Sequence, residues 1–235
     1  MEERFSRTAL LIGEDGMEKL RASSVAIFGV GGVGSFAAEA VARMGVGHIT
    51  LIDNDTVAPS NLNRQLIALN STLGRNKVDV AKERILDINP NANVDAKTMF
   101  YLPENADEID VTRFDCIVDA IDTVSAKIEL IVRANKVGVP IISSMGTGNK
   151  LHPEMLELTD ISKTSVCPLA RVMRRELKSR GINHLSVVYS KEEPVKLYED
   201  VFLPNGKKTV GSISFVPSCA GLLIASKVLE LLLDK

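Results

Sequence analysis

The chain has 235 residues, 45% of them apolar and 25% charged, with a formal net charge of −2. A chain of this length buries a real core, and its high apolar content with nearly balanced charge excludes a disordered polymer. The same balance excludes a generic basic nucleic-acid coat, so any nucleic-acid partner must meet a local patch.

Met1-Glu2-Glu3-Arg4 has no apolar run behind it, so no secretory signal is expected. Val25-Ala26-Ile27-Phe28 is a short continuous apolar run, the mark of a buried parallel strand. It ends in Gly29-Val30-Gly31-Gly32-Val33-Gly34, after which a helical pattern runs to about Met44. His48-Ile49-Thr50-Leu51-Ile52 is a second strand. A helix is predicted from Asn76 to about Asn89, with Val78, Ala81, Ile85 and Ile88 on one face. Cys116 to Ala120 reads as a strand, Lys127 to Val137 as a helix and Pro140 to Ser143 as the next strand. This alternation predicts an α/β fold, a doubly wound, mostly parallel Rossmann-like sheet.

The C-terminal half is less regular. Leu169 to Arg180 is a basic helix, and Leu185–Ser190 and Ser212–Val216 read as strands. Between those two, Lys191 to Lys208 is polar, carries Pro194, Pro204 and Gly206, and reads as a loop or hairpin. Cys219 to Leu233 reads as an amphipathic helix packed on the sheet or on a second subunit. Its run Ala220–Leu233 comes nearest to the ~18 apolar residues a membrane span needs, but Lys227 and Glu230 interrupt it. Cys116, Cys167 and Cys219 form no CxxC pair, which suits free thiols in a reducing compartment. A cytoplasmic protein without a membrane span is expected. No linker interrupts the chain, so residues 1–235 are read as one domain, with a nucleotide-binding part over about 20–150 and a substrate-facing part over about 151–235.

The glycine loop follows a strand and opens a helix, and that context gives the string its meaning. Gly29, Gly31, Gly32 and Gly34 allow a tight turn and a close approach to phosphate, and the helix N-terminus offers N–H groups and partial positive charge. Asp53 ends the second strand, where its carboxylate suits a ribose. No G-x-x-x-x-G-K-[ST] string is present, which excludes a P-loop ATPase. The loop alone leaves NAD, FAD and ATP open.

Asp53-Asn54-Asp55 is followed by Ser60-Asn61-Leu62-Asn63-Arg64-Gln65, by Lys77, and by Asp119-Ala120-Ile121-Asp122. In this order the residues resemble the ubiquitin-activating-enzyme-like adenylyltransferases of the ThiF and MoeB type, over about residues 4–150. The resemblance implies ATP and Mg²⁺ as cofactors, with the glycine loop, Asp53, Asp55, Asn61, Arg64 and Lys77 holding the nucleotide. It also implies an N-terminal arginine reaching across a homodimer, a part that Arg7 matches. The chemistry agrees. Adenylyl transfer needs positive charge on the triphosphate, which Arg64 and Lys77 can supply, and Arg64 can grip phosphate oxygens bidentately. Asp122, just past a strand end, suits Mg²⁺, which takes one or two carboxylates plus phosphate oxygens. The family often has Asn and Arg where Thr123 and Lys127 stand, which lowers the expectation of a role for those two.

Further strings single out one branch. Arg4-Phe5-Ser6-Arg7, Ser144-Met145-Gly146-Thr147-Gly148-Asn149-Lys150, Asp160-Ile161 with Pro168-Leu169-Ala170-Arg171, and Val187-Val188-Tyr189-Ser190 before Glu193-Pro194 resemble the tRNA threonylcarbamoyladenosine dehydratases. That resemblance implies ATP-dependent cyclisation of threonylcarbamoyladenosine in tRNA: the threonyl carboxylate is activated, the side chain's own urea-type group attacks, and the net change is loss of water. A basic helix face with Arg171, Arg174, Arg175 and Lys178 could meet tRNA phosphates, with Lys150 near the substrate and Lys207-Lys208 as a lesser candidate. The cysteines read as small buried hydrophobes, since cyclisation needs no enzyme nucleophile.

The main alternative is adenylation of the C-terminus of a ubiquitin-like or sulfur-carrier protein. Relatives of that kind usually bind zinc through two CxxC pairs; none exists here, so no zinc is expected. A cysteine desulfurase or sulfur acceptor stays open as a further partner; a non-catalytic nucleotide-sensing scaffold is disfavoured by Arg64, Lys77 and Asp122, and a nicotinamide oxidoreductase by Asn61 to Gln65. A monovalent cation requirement stays open.

Overall fold

Residues of the first strand alternate between two cores: Val25 and Ile27 pack on one face of the sheet, Ala26 and Phe28 on the other, and all four are fully buried. A strand covered on both faces is what a parallel sheet with helices on either side requires. The computed structural model describes residues 3–199, 202 and 209–234. Its elements in chain order are α1 (Ser6–Ala22), β1 (Ser24–Phe28), α2 (Gly34–Met44), β2 (His48–Ile52), α3 (Lys77–Ile88), β3 (Asn93–Lys97) and β4 (Cys116–Asp119). They continue with α4 (Val124–Val137), β5 (Ile141–Ser144), β6 (Leu156–Asp160), α5 (Pro168–Lys178), β7 (Ser186–Ser190) and α6 (Phe215–Leu233). The seven strands form one sheet in the order β3-β2-β1-β4-β5-β7-β6, parallel except for the antiparallel β6–β7 pair. The α/β doubly wound expectation holds. Helices α2, α3 and α6 cover one face, and α4 and α5 the other.

Three elements escaped the sequence reading. Helix α1 breaks at Gly13, whose φ of 74° puts the backbone outside the helical region, so its apolar residues follow no single periodicity. Strands β3 and β6 lie at the two edges of the sheet, and their alternation is thin: Val94 is the one buried residue of β3, and Leu156 the one of β6.

Two expectations are corrected. Ser212 to Val216 is not a strand; α6 begins at Phe215, and Pro217 falls in its first turn, where a missing N–H costs nothing. Nor is α6 clearly amphipathic. Val216, Ala220, Ile224, Val228 and Leu232 are buried, Leu223, Leu229, Leu231 and Leu233 pack partly against the same core, and Leu222 is half exposed. The helix lies against α1, α2 and four strands, so several of its sides meet protein. By length and composition it could cross a membrane, the one described helix that could, but its apolar surface is spent largely on this core.

Candidate active site

Strand order reverses between β1 and β4, and an open cleft of about 540 Å³ lies there, at the carboxyl ends of β1, β2, β3 and β4. Ligands of such sheets sit at this switch point, and the volume is within the range of small-molecule sites. Gly29, Gly31, Gly32, Asp53, Asp55, Asn61, Arg64, Lys77 and Asp122 all line it. Residues more than ninety positions apart in sequence thus meet on one wall or the other.

The glycine loop is built for close approach. Gly29 has φ of 87°, and a Cβ there would lie 2.6 Å from the Ala120 carbonyl oxygen. Asp53 clamps the loop: the Val30 N–H donates to its Oδ2 (2.6 Å) and the Asp55 N–H to its Oδ1 (2.8 Å). Asp53 therefore positions backbone as well as facing the cleft. Helix α2 starts at Gly34 with no side-chain cap, which leaves its N-terminal dipole to the loop. Gly34 itself does not line the cleft. A Cβ there would come within 1.8 Å of the Gly29 oxygen, so it serves the turn.

The cations differ in their partners. Lys77 is 4% exposed, and its Nζ meets Asp55 Oδ2 at 2.7 Å. Its place is set where the chain returns from β2: Thr56 bridges Asn76, and the Lys77 N–H donates to the Asp55 oxygen (3.0 Å). Arg64 donates from Nη1 to the Ser60 oxygen (2.8 Å) and Asn63 Oδ1 (2.9 Å); no carboxylate among the described residues pairs with it. Asn61 Oδ1 accepts from the Ala58 N–H (3.0 Å), which leaves its amide NH₂ for the cleft. Asp122 is exposed at the far wall, where its Oδ1 accepts from Thr123 Oγ1 (3.3 Å).

Other predicted residues lie elsewhere. Arg7 is exposed on α1, away from the cleft of its own chain. Lys150 is 3% exposed and donates to the Glu192 carbonyl oxygen, so its Nζ is engaged inside the protein, and burial lowers its ammonium pKa. Glu192 in turn accepts from the Leu151 and His152 N–H groups (2.9 and 3.0 Å). Arg174 is also withdrawn from the basic face, because its Nη1 donates to the Thr164 oxygen (2.9 Å) and Oγ1 (2.5 Å). Arg171, Arg175 and Lys178 remain exposed on α5, Arg175 alongside Glu176. Lys207 and Lys208 lie outside the described residues.

Sequence reading missed the apolar floor. Phe28, Ile52, Met99, Tyr101 and Ile121 line one end of the cleft, with Tyr101 edge-on to Phe28 (centroids 5.0 Å, 73°). Burial pushes the Tyr101 phenol up to about 12, so it stays protonated, and its Oη has no hydrogen-bond partner among the described residues. Gln65 Oε1 is likewise buried and unpartnered. Gln65 follows Arg64 directly, so its place could have been read; Tyr101 follows the edge strand β3 that the pattern did not reveal. No group of three or more Asp, Glu, His or Cys residues suited to hold a metal occurs among the described residues.

The ThiF family profile matches residues 5–235. The chain is 46% identical to the tRNA threonylcarbamoyladenosine dehydratase of Bacillus subtilis over 245 aligned positions, which span 100% of this chain and 96% of that one. It is 40% identical to the Escherichia coli protein of the same name over 75% of this chain and 66% of the other. The crystal structure of E. coli tRNA N6-threonylcarbamoyladenosine dehydratase in complex with ATP superposes with a TM-score of 0.89 at 34% identity, covering 99% of this chain and 94% of that one. The molybdopterin-synthase adenylyltransferase of Haemophilus influenzae is 38% identical over 60% of this chain and 59% of its own.

Proposed function

The chain belongs to the ThiF family, and from that premise we propose that it is an ATP-dependent dehydratase of threonylcarbamoyladenosine in tRNA. The observation that carries the reading is the full-length similarity to a dehydratase of that name, joined to a cleft where the glycine loop, Arg64, Lys77 and Asp122 converge. We read residues 1–235 as one domain, whose first part holds the nucleotide.

In this reading the triphosphate lies on the glycine loop and the N-terminus of α2. Arg64, free of carboxylates among the described residues, and Lys77, shared with Asp55, meet its negative charge. The Asn61 amide NH₂ donates to a phosphate oxygen. The Phe28–Tyr101 floor takes the base. The threonyl carboxylate attacks the α-phosphorus and pyrophosphate leaves. The substrate's own urea-type nitrogen then attacks the activated carbonyl carbon, loses its proton, and AMP departs. Substrate has lost one water, and ATP has become AMP and pyrophosphate.

The donor set fits Mg²⁺. A single exposed carboxylate facing a phosphate cradle suits an ion that takes most of its ligands from phosphate and water. When bound, the ion would neutralise charge on the departing pyrophosphate; Asp122 would hold it. For tRNA, the exposed Arg171, Arg175 and Lys178 of α5 offer a phosphate-contacting face. A second copy of the chain is the further partner we propose. Arg7, Leu10 and Leu11 share one face of α1, and Leu10 and Leu11 are 84% and 87% exposed. A partner covering these leucines would receive Arg7 as well. The three cysteines form no disulfide with one another, which suits the cytoplasm.

Similarity to a molybdopterin-synthase adenylyltransferase favours a second reading, adenylation of a carrier-protein C-terminus. Nucleoside mass spectrometry separates the two. Transfer RNA carrying threonylcarbamoyladenosine, incubated with the protein, ATP and Mg²⁺, should lose the mass of one water. Arg64→Ala should abolish that loss. No mass change, with AMP released only when a carrier protein is added, would select the second reading.

A further inference from the structure

We propose that Lys127, acting through Asp119, is a positioning residue that sets the turn carrying Asp122. Both side chains are 0% exposed, and Lys127 Nζ lies 2.9 Å from Asp119 Oδ2. That oxygen also accepts from Ser143 Oγ (2.6 Å), which ties β4 to β5 beneath the cleft. Asp119 Oδ1 accepts from the Ile121 N–H (3.2 Å), and Lys127 Nζ donates to the Ile121 carbonyl oxygen (3.1 Å). The pair therefore grips Ile121 at both ends, and the second bond orients the peptide plane that leads into Asp122. The Lys127 N–H closes the first turn of α4 on the Thr123 oxygen (3.0 Å), so the same residue fixes the far side.

Stability alone does not call for this arrangement. Burying an ion pair carries a desolvation penalty roughly matched by its attraction, and apolar replacements of such pairs are often neutral. Ala126, Leu130 and Ile131 already anchor α4 to the sheet. What an apolar side chain cannot do is donate to the Ile121 oxygen. Ala120 to Thr123 all line the cleft, so a shift of this turn moves the Asp122 carboxylate relative to Arg64 and Lys77.

The inference rests on reading Asp122 as the residue that faces Mg·ATP, and its test separates the two ideas. The variant is the charge-neutral pair Asp119→Asn/Lys127→Met in the full chain. Amide hydrogen exchange without nucleotide should show residues 121–123 exchanging about tenfold faster or more, with β1 unchanged; unchanged protection would overturn the proposal. Calorimetry with ATP and Mg²⁺ should then show about tenfold weaker binding, with AMP binding in the absence of metal within about threefold of the parent. Adding Asp122→Asn to the pair variant should cost nothing more, because the carboxylate is already misplaced. Additive losses, or parental Mg·ATP affinity in the pair variant, would sink the proposal even if its melting temperature fell. If Asp122→Asn alone leaves Mg·ATP binding intact, the metal assignment of Asp122 fails, and the exchange result decides the positioning role. Should the pair variant not fold, Ser143→Ala removes one bond to Asp119 without touching the cleft. It should produce a smaller change of the same sign in both measurements; no change in either would count against the proposal.

Discussion

Lys77 and Arg64 face the same cleft with opposite degrees of neutralisation. Lys77 is buried against Asp55, so its charge is half spent until phosphate arrives, while Arg64 is held by a carbonyl and an amide. Removing Lys77 leaves Asp55 as an unbalanced negative charge beside the triphosphate. Lys77→Met should therefore lower kcat/KM for ATP by about 10²–10³-fold, the range seen for loss of one charge-stabilising donor. Steady-state AMP formation measures it, and a loss below tenfold would remove Lys77 from the phosphate site. These residues were legible in sequence because the motif that holds them is contiguous or nearly so. Lys127, Lys150 and Arg174 were not, because their meaning depends on burial. Each looks like an ordinary surface charge until packing closes a partner on it: Asp119 and Thr164 from the preceding element, Glu192 from a distant segment.

At the scale of elements, α2 and α3 are joined by a small charge network. Arg84 on α3 donates to both Glu39 oxygens (2.6 and 3.0 Å), and Arg43 one turn along α2 donates to Oε1 (2.7 Å). Burial works to raise the Glu39 pKa, but these bonds outweigh it and hold the carboxyl below its ordinary value. A depressed carboxyl stabilises the fold above its unfolded pKa, near 4, and loses that stabilisation as pH falls through the folded value. Glu39→Gln should cost about 1 kcal/mol at pH 7, discounted because Arg84 is partly exposed. The difference in melting temperature should shrink as the pH drops below about 4. A constant difference across that range would show that packing and not charge is what the substitution removes. Strands β1, β2 and β4 were readable as short apolar runs buried on both faces, and helices α2, α3 and α4 because each buries one clear face. The edge strands β3 and β6 and the broken helix α1 were not, since half their surface meets solvent or changes direction.

For the molecule as a whole, exposure of Leu10 and Leu11 beside Arg7 is a feature that the single chain leaves unexplained. Light scattering should find a dimer, and Leu10→Glu/Leu11→Glu should turn it into a monomer with dehydratase activity at least about tenfold lower. Arg7→Ala should keep the dimer and lose activity. A double variant that remains dimeric would place the interface elsewhere. The sequence by itself determined the α/β class, the nucleotide loop, the ordered motif from Asp53 to Asp122 and, through resemblance, the family. It could do so because strand periodicity and phosphate-binding turns are local, specified within a few residues. Only the tertiary structure decided which charges are spent on the protein and which face the cleft. It gave Gly34 to the turn and bonded Lys150 and Arg174 to the protein, turned Ser212–Val216 from strand into helix approach, and placed a buried lysine under Asp122. Burial and pairing are settled by how the elements pack, so that even partners as near in sequence as Asp119 and Lys127 become a buried pair only when strand and helix are docked on the sheet.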